Sequence, residues 1–386
     1  MSNIKINVYR RPDGRFGVRN HVAIISSADN SNFIARKVEK MVKGTVALCP
    51  CFGRGEIGDD MKLHINMMAG LGMNPNVYSV IIVSLEPVIA QKIADIIKTS
   101  GKRVEVFSMD EDGGSVGCTE KAIRAARTMV IEASTVCREE EDISCLLLGV
   151  ECGGSDTTSG LVSNPVTGMV ADEIIDQGGA AILSETTEWM GAEPFLLKRV
   201  ASPEIGEKIV NAVKWYEDYI KSIGVDLNGF NPAPDNIKGG LSTIEEKAIG
   251  SAKKGGSRMI NGLLSCGERP AGKGLYLMDA PTGGVENTTA LCAAGCQVVI
   301  FSTGKGNPLG NPIVPTIKVT GNYRTMERCP ENIDVDLSSY ITEEKSYEEE
   351  KSILLDALIA HSNGKLTTSE VLGDLEIAIT RIGYTV

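Results

Sequence analysis

Residues 77–85 read VYSVIIVSL. A continuous apolar run rich in β-branched residues, about a strand in length, is the mark of a parallel strand covered on both faces. Helical spacing flanks it, over Gly58–Leu71 before and Pro87–Thr99 after. Further out, His21–Ser27 (HVAIISS), Thr45–Leu48 and Lys102–Ser108 read as strands, and Asn30–Met41 and Ser115–Val136 as helices. Strands alternating with helices of this length predict a parallel sheet with right-handed crossovers.

The charged run Arg138–Asp142 (REEED) reads equally as a boundary or as a solvated helix end. Beyond it Cys145–Val150 (CLLLGV) starts a second strand–helix series. Strands are expected at Ala180–Ser184, Leu275–Asp279, Val298–Thr303 and Val314–Val319. Helices are expected at Val170–Gln177, Glu204–Ile223, Thr243–Lys253, Glu286–Ala294 and Tyr347–Ala360. The Pro-, Asn- and Gly-rich stretch 225–240 cannot be regular throughout. The expectation is an α/β protein of two consecutive three-layer units with mostly parallel sheets, a Rossmann-like unit over 1–140 and a second, catalytic unit over 141–386.

The 386 residues carry 39 Lys and Arg against 50 Asp and Glu, a net charge of −11. Such a chain is a poor non-specific partner for nucleic acid or an anionic membrane. No apolar run reaches the ~18 residues of a membrane span, and the N-terminus lacks the apolar core of a secretion signal. Ten cysteines with no CxxC pair read as reduced, cytoplasmic thiols. Three histidines are too few for a histidine-rich metal site. Glycine is the unusual residue, 42 in all, gathered in loops where backbone can approach a ligand.

Six segments hold the candidate chemistry. GVECGGSDTTSGLVSNP (149–165) follows a buried strand, and ligands of open parallel sheets bind beyond the carboxyl ends of strands. It brings Cys152, Ser155, Asp156, Ser159 and Asn164 to one loop, although composition alone also allows a plain connector. LSETTEWMGAE (183–193) carries Glu185 and Glu188 three apart, either a cation site or acidic residues in the first turn of a capped helix. KGGLSTIEEK (238–247) offers Glu246 and Lys247 as acid–base candidates, or a helix cap. FSTGKGNPLGNP (301–312) offers Lys305 to an anion. GRFGVRNH (14–21) and CPCFGRGEIGDD (49–60) offer Arg19, Asn20 and Arg54, whose forked guanidinium donors suit a carboxylate or sulfonate.

Five segments in order resemble one family, the altronate and galactarate dehydratases: GRFGVRNH (14–21), LGVECGGSDTTSGLVSNPVTG (148–168), ILSETTEWMGAE (182–193), NPAPDNIKGGLSTIEEKAIG (231–250) and AAGCQVVIFSTGKGNPLGNPIVPTIKV (293–319). SDTTSG, GNPLGNPIVPTIK and ENIDVDLSSY (331–340) are most similar to the branch formed by the large (beta) subunits of (2R)-sulfolactate sulfo-lyase. The resemblance implies a lyase acting on a small anionic 2-hydroxy acid, releasing sulfite from sulfolactate or, as the alternative, water from a sugar acid. It implies a divalent metal, ferrous iron, for which Cys152, Glu185 and Glu188 are the candidate ligands. Arg19, Asn20, Arg54, Ser155, Asp156, Ser159, Asn164 and Lys305 are then candidate substrate contacts. A small SAF-type domain, fused in the sugar-acid enzymes, is expected here as a separate small subunit, in an oligomer; a second alternative is a large subunit inactive without that partner. One departure stands out. A His-x-x-Gly-Cys-like pattern is expected after the second strand, and CPCFGRG (49–55) has Gly53-Arg54 in its place.

Overall fold

The computed structural model describes residues 3–227 and 230–386. Strands β1 (Lys5–Arg10), β2 (Phe16–Gly17), β3 (His21–Ser26), β4 (Thr45–Leu48), β5 (Val77–Ser84), β6 (Val104–Ser108) and β7 (Glu139–Asp142) alternate with helices α1 (Asn32–Met41), α2 (Gly58–Met73), α3 (Pro87–Lys98) and α4 (Gly114–Ala133). β3 to β6 form a parallel sheet in the order β4-β3-β5-β6. The run that reads VYSVIIVSL is an inner strand, as its composition requires. Ile81 and Val83 face Ile34, Val38, Ala122 and Met129 of α1 and α4. Val80 and Ile82 face Met68, Leu71, Ile93 and Ile97 of α2 and α3.

The second series contains β8 (Leu147–Cys152), helix α5 (Asn164–Asp176), β9 (Ala180–Leu183), β10 (Ile260–Leu264), β11 (Gly274–Met278), β12 (Val298–Ser302), β13 (Thr316–Thr320) and β14 (Val335–Asp336). These seven strands are parallel, in the order β10-β11-β9-β8-β12-β13-β14. α5 and the helices Pro203–Ser222 and Tyr347–Ser362 cover one face. The helix Gly284–Ala293 covers the other and packs against α2. One continuous apolar cluster therefore joins the two sheets, from Ala23 and Met68 through Leu291 to Val299, with Ile377 and Ile379 of the C-terminal segment. The architecture is α/β with mostly parallel sheets, as expected.

Two features depart from the expectation. The REEED run is not a helix end. Glu139–Asp142 pairs antiparallel with β1, a strand absent from the reading above. The two basic residues of β1 pair with its acids, with Lys5 2.8 Å from Asp142 and Arg10 2.9 Å from Glu141. β10 was also unforeseen, because Asn261 and Gly262 disguise an edge strand. Among the described residues no helix is long and apolar enough to cross a membrane.

Candidate active site

β8 and β9 are neighbours near the centre of the larger sheet, with Val150 paired to Leu183. Their carboxyl ends therefore deliver Glu151, Cys152 and Glu185 to one place. Glu185 takes φ +69°, a left-handed conformation unusual for a residue with a side chain. Such backbone strain is retained where surrounding structure enforces it, often at functional sites. The loop after β8 enters α5 through a π-helical turn, Ser159–Ser163, a local irregularity also frequent at functional sites.

The third contributor is the helix Ile244–Ala252 and the turn Lys253–Gly255 that ends it. Thr243 caps the helix, accepting from the Glu246 N–H at 3.2 Å. Lys247, Ser251 and Lys254 follow at i, i+4 and i+7, and so share one side. Gly168 of α5 permits the close approach, since a Cβ there would collide with the Lys253 carbonyl.

Lys254 is fully buried. Its Nζ lies 2.7 Å from Cys152 Sγ and 2.8 Å from Glu185 Oε2. Ser251 Oγ stands 3.6 Å from the same sulfur. Lys247 Nζ lies 2.7 Å from Glu188 Oε1 and donates to Asn231 Oδ1 at 2.7 Å. Asn287 donates to Glu151 from the opposite face of the sheet. Burial pushes the Glu151 carboxyl well up, and the neighbouring Glu185 charge adds to it. Burial likewise raises Glu185 to about 7, with the Lys254 ammonium working against it and Glu188 adding to it. The Cys152 thiol is raised by burial, against the pull of Lys254. Burial alone would lower Lys254, but Cys152, Glu185, Glu151 and Glu188 together outweigh it and hold the ammonium charged. Both partners of the 2.8 Å pair move up, Glu185 because burial disfavours its charge more than Lys254 offsets this, and Lys254 because three carboxyls and a thiol surround one buried cation.

In front of this network lies a pocket of about 210 Å³. Ser155, Asp156, Ser159, Asn164, Glu246 and Lys247 line it, and Ser251 forms part of its wall. Six of the sequence candidates thus share one pocket, and Cys152, Glu185 and Glu188 lie behind it. Asp156 shapes the loop, accepting from Thr158 Oγ1 at 2.7 Å, Ser159 N at 3.1 Å and Asn322 Nδ2 at 2.7 Å. Glu246 is exposed, and its carboxylate accepts from Ser242 N and Oγ. Those bonds hold it below the usual carboxylate range, which makes it a weak base.

The remaining candidates lie elsewhere. Arg19, expected to bind an anion, spends its donors inside the protein, on both Glu370 oxygens at 2.7 and 2.9 Å and on the carbonyls of Val18, His361 and Lys365. Asn20 accepts from Arg11 and donates to the Ala133 carbonyl, both at 2.8 Å. Arg54 lines a separate crevice at the carboxyl ends of β3 and β5, with Ser27 and Ser84. Lys305 sits in an adjoining cleft that shares only Asp156 with the pocket. The sequence reading missed Glu151, Ser251 and Lys254. The i, i+4, i+7 spacing of Lys247, Ser251 and Lys254 was the signal for two of them.

The donor chemistry suits a divalent cation in part. Cys152 is joined by three buried glutamates, and Glu151 Oε1, Glu185 Oε1 and Glu188 Oε2 accept no hydrogen bond. The arrangement does not suit one. Among the described residues no three His, Cys, Asp or Glu side chains converge as a ligand set, and the Lys254 ammonium fills the position between Cys152 and Glu185.

Comparison with known proteins agrees with the motif reading. The family model for the D-galactarate/altronate dehydratase C-terminal region matches residues 143–385. The model for the D-galactarate dehydratase/altronate hydrolase second domain matches residues 8–134. The chain is 39% identical to the (2R)-sulfolactate sulfo-lyase subunit beta of Chromohalobacter salexigens, over 97% of this chain and 96% of that one. It is 31% identical to the altronate dehydratase of Escherichia coli, over 99% of this chain and 78% of that one. It is 34% identical to the galactarate dehydratase (L-threo-forming) of Escherichia coli, over 60% of this chain and 44% of that one. Two family models covering both sheets, and relatives matched along nearly the whole chain, make this protein a member of the D-galactarate/altronate dehydratase family.

Proposed function

We propose that the chain is a carbon–sulfur lyase that eliminates sulfite from (2R)-sulfolactate to give pyruvate. The observation that carries this reading is the buried Cys152–Lys254–Glu185 network behind a small polar pocket, in a chain alignable end to end with a sulfo-lyase beta subunit. A 210 Å³ pocket suits a short acid, and the reaction needs a charge-stabilising wall more than a large cavity.

The substrate carboxylate and hydroxyl lie against Ser155, Ser159 and Asn164, whose Oδ1 is buried without a partner. Loss of the C2 proton builds negative charge on the carboxylate. Lys247 at the pocket wall and the fully buried Lys254 behind it offset that charge. The proton ends in the buried network, where Glu185, raised to about 7, can take it and give it up near neutral pH. The C3–S bond breaks, its electron pair leaves on sulfite, and the enol takes a proton at C3 and gives up its hydroxyl proton to become the keto acid. The ferrous iron implied by the motif resemblance is assigned no step.

Release of water from a sugar acid is the alternative, supported by the match to altronate dehydratase over 99% of this chain. The name of the sulfo-lyase relative makes it one subunit of an assembly. We infer a separate small partner of SAF type, in a cytoplasmic oligomer. Sulfite and pyruvate should appear in equal amounts from (2R)-sulfolactate, with the chain alone or with its co-expressed partner. A 2-keto-3-deoxy acid from altronate, with no sulfite from sulfolactate, would overturn the assignment in favour of the dehydratase.

A further inference from the structure

Beside the catalytic pocket, and sharing the wall formed by Asp156, lies a second cleft of about 510 Å³. Four cations from three chain segments line it: Lys238 at the end of the helix Pro234–Lys238, Lys305 in the loop after β12, and Arg324 and Arg328 of the helix Tyr323–Arg328. We propose that this cleft is a second binding site, for a small dianion bearing a sulfonate or sulfate group.

Three of the four charges are uncompensated; Lys305 alone has a carboxylate, that of Asp235, at ion-pair distance. Among the described residues no carboxylate comes within ion-pair distance of Lys238, Arg324 or Arg328. Glu327 acts on Arg324 along the same helix without reaching it. Lys305 donates to the Asp235 carbonyl and stays 3.9 Å from its carboxylate. The one acid in the cleft wall, Asp156, is already committed to Thr158, Ser159 and Asn322. Gathering four cations in one concavity costs Coulombic energy, which a multivalent anion removes. That this happens on a chain of net charge −11 marks the cleft as a local inversion of the protein's field. Two guanidinium groups add forked donors matched to a tetrahedral or planar oxyanion. The cleft is concave and abuts the catalytic pocket through one residue, which favours a small ligand over an acidic protein segment. Its role as a place where dianionic substrate collects and sulfite departs rests on the proposed lyase reading; its affinity for a dianion does not.

The test is calorimetric titration of the full chain with sodium sulfate at constant ionic strength, for the wild type and for the double variant Arg324→Ala/Arg328→Ala. Both residues are exposed, so the variant should fold, and circular dichroism checks this. The proposal expects sulfate to bind the wild type at a site that the double variant loses or holds at least about tenfold more weakly. Equal binding by the two proteins overturns it, as does a wild type that binds no sulfate. With sulfolactate as substrate, the double variant should keep kcat and lose kcat/KM, most strongly at low salt. Loss of sulfate binding in the variant, with no sulfite released by the wild type, would sink the lyase assignment and leave the cleft standing.

Discussion

The Lys254 ammonium lies 2.8 Å from the Glu185 carboxylate, and solvent reaches neither group. A pair so placed adds little net stability, because desolvation offsets its attraction, but removing one partner leaves the other charge buried and alone. Here the partner is also shared: Cys152 and Glu185 depend on the same ammonium.

Lys254→Met should therefore cost about 3–5 kcal/mol of stability and abolish turnover. Urea unfolding read by circular dichroism gives the first quantity, and sulfite release the second. A variant as stable and as active as the wild type would show that the cation is incidental.

Glu185 sets the pH dependence. Burial raises it to about 7, so the folded protein holds its proton between the usual carboxylate range and 7, where the unfolded chain has lost it. Its contribution to stability is thus complete at low pH and is lost as pH rises through 7. For a proton acceptor the sign is opposite: kcat should rise as pH increases through about 7 and then level off. In Glu185→Gln that limb should vanish with the activity. A profile flat from pH 5 to 8, as the experimenter sets it, would remove Glu185 from the proton-transfer role.

Glu246 gives a contrasting outcome. It was an acid–base candidate on residue type, yet it is exposed, ionised and bound to Ser242 at the head of its helix. Glu246→Gln should cost no more than about 1 kcal/mol in stability and leave kcat within a few-fold of the wild type. A large loss of kcat with unchanged stability would restore it to the chemistry.

How much of this was legible in the sequence follows from the range of the forces involved. β5 was readable because its residues alone state its environment, apolar on both faces. The pocket loop was readable in part: a glycine- and hydroxyl-rich segment after a buried strand suits a ligand, but its composition also fits a plain connector. Glu139–Asp142 was not, because a run of acids looks solvated until Lys5 and Arg10 are known to stand opposite. Arg19 misled for the same reason: its partner Glu370 is 351 residues away, and a cation shows no sign of being already spent. Lys254 was hidden in the unremarkable segment SAKKGGS (251–257). Its spacing of seven from Lys247 was the one sign that it, and not Lys253, turns inward.

Lys318 offers a further measurement, away from the pocket. It is fully buried on β13, and its Nζ has no hydrogen-bond partner, lying 4.9 Å from the centre of the Phe301 ring. Burial lowers it to about 7, with Asp334, Asp374 and Glu151 opposing the shift. The unfolded chain binds this proton up to the ordinary lysine range, whereas the folded chain releases it above about 7. Folding is therefore penalised as pH falls from that range towards 7, and the penalty is fully present below 7. A fall from 10.5 to about 7 corresponds to an upper bound on the order of 5 kcal/mol. Lys318→Met keeps the volume and removes the charge, so it should raise stability more at pH 7 than near pH 10. Urea unfolding of both proteins at the two pH values reads this directly. A gain independent of pH would mean that packing alone is responsible, and a loss at pH 7 would mean that the ammonium has a partner which stabilises it.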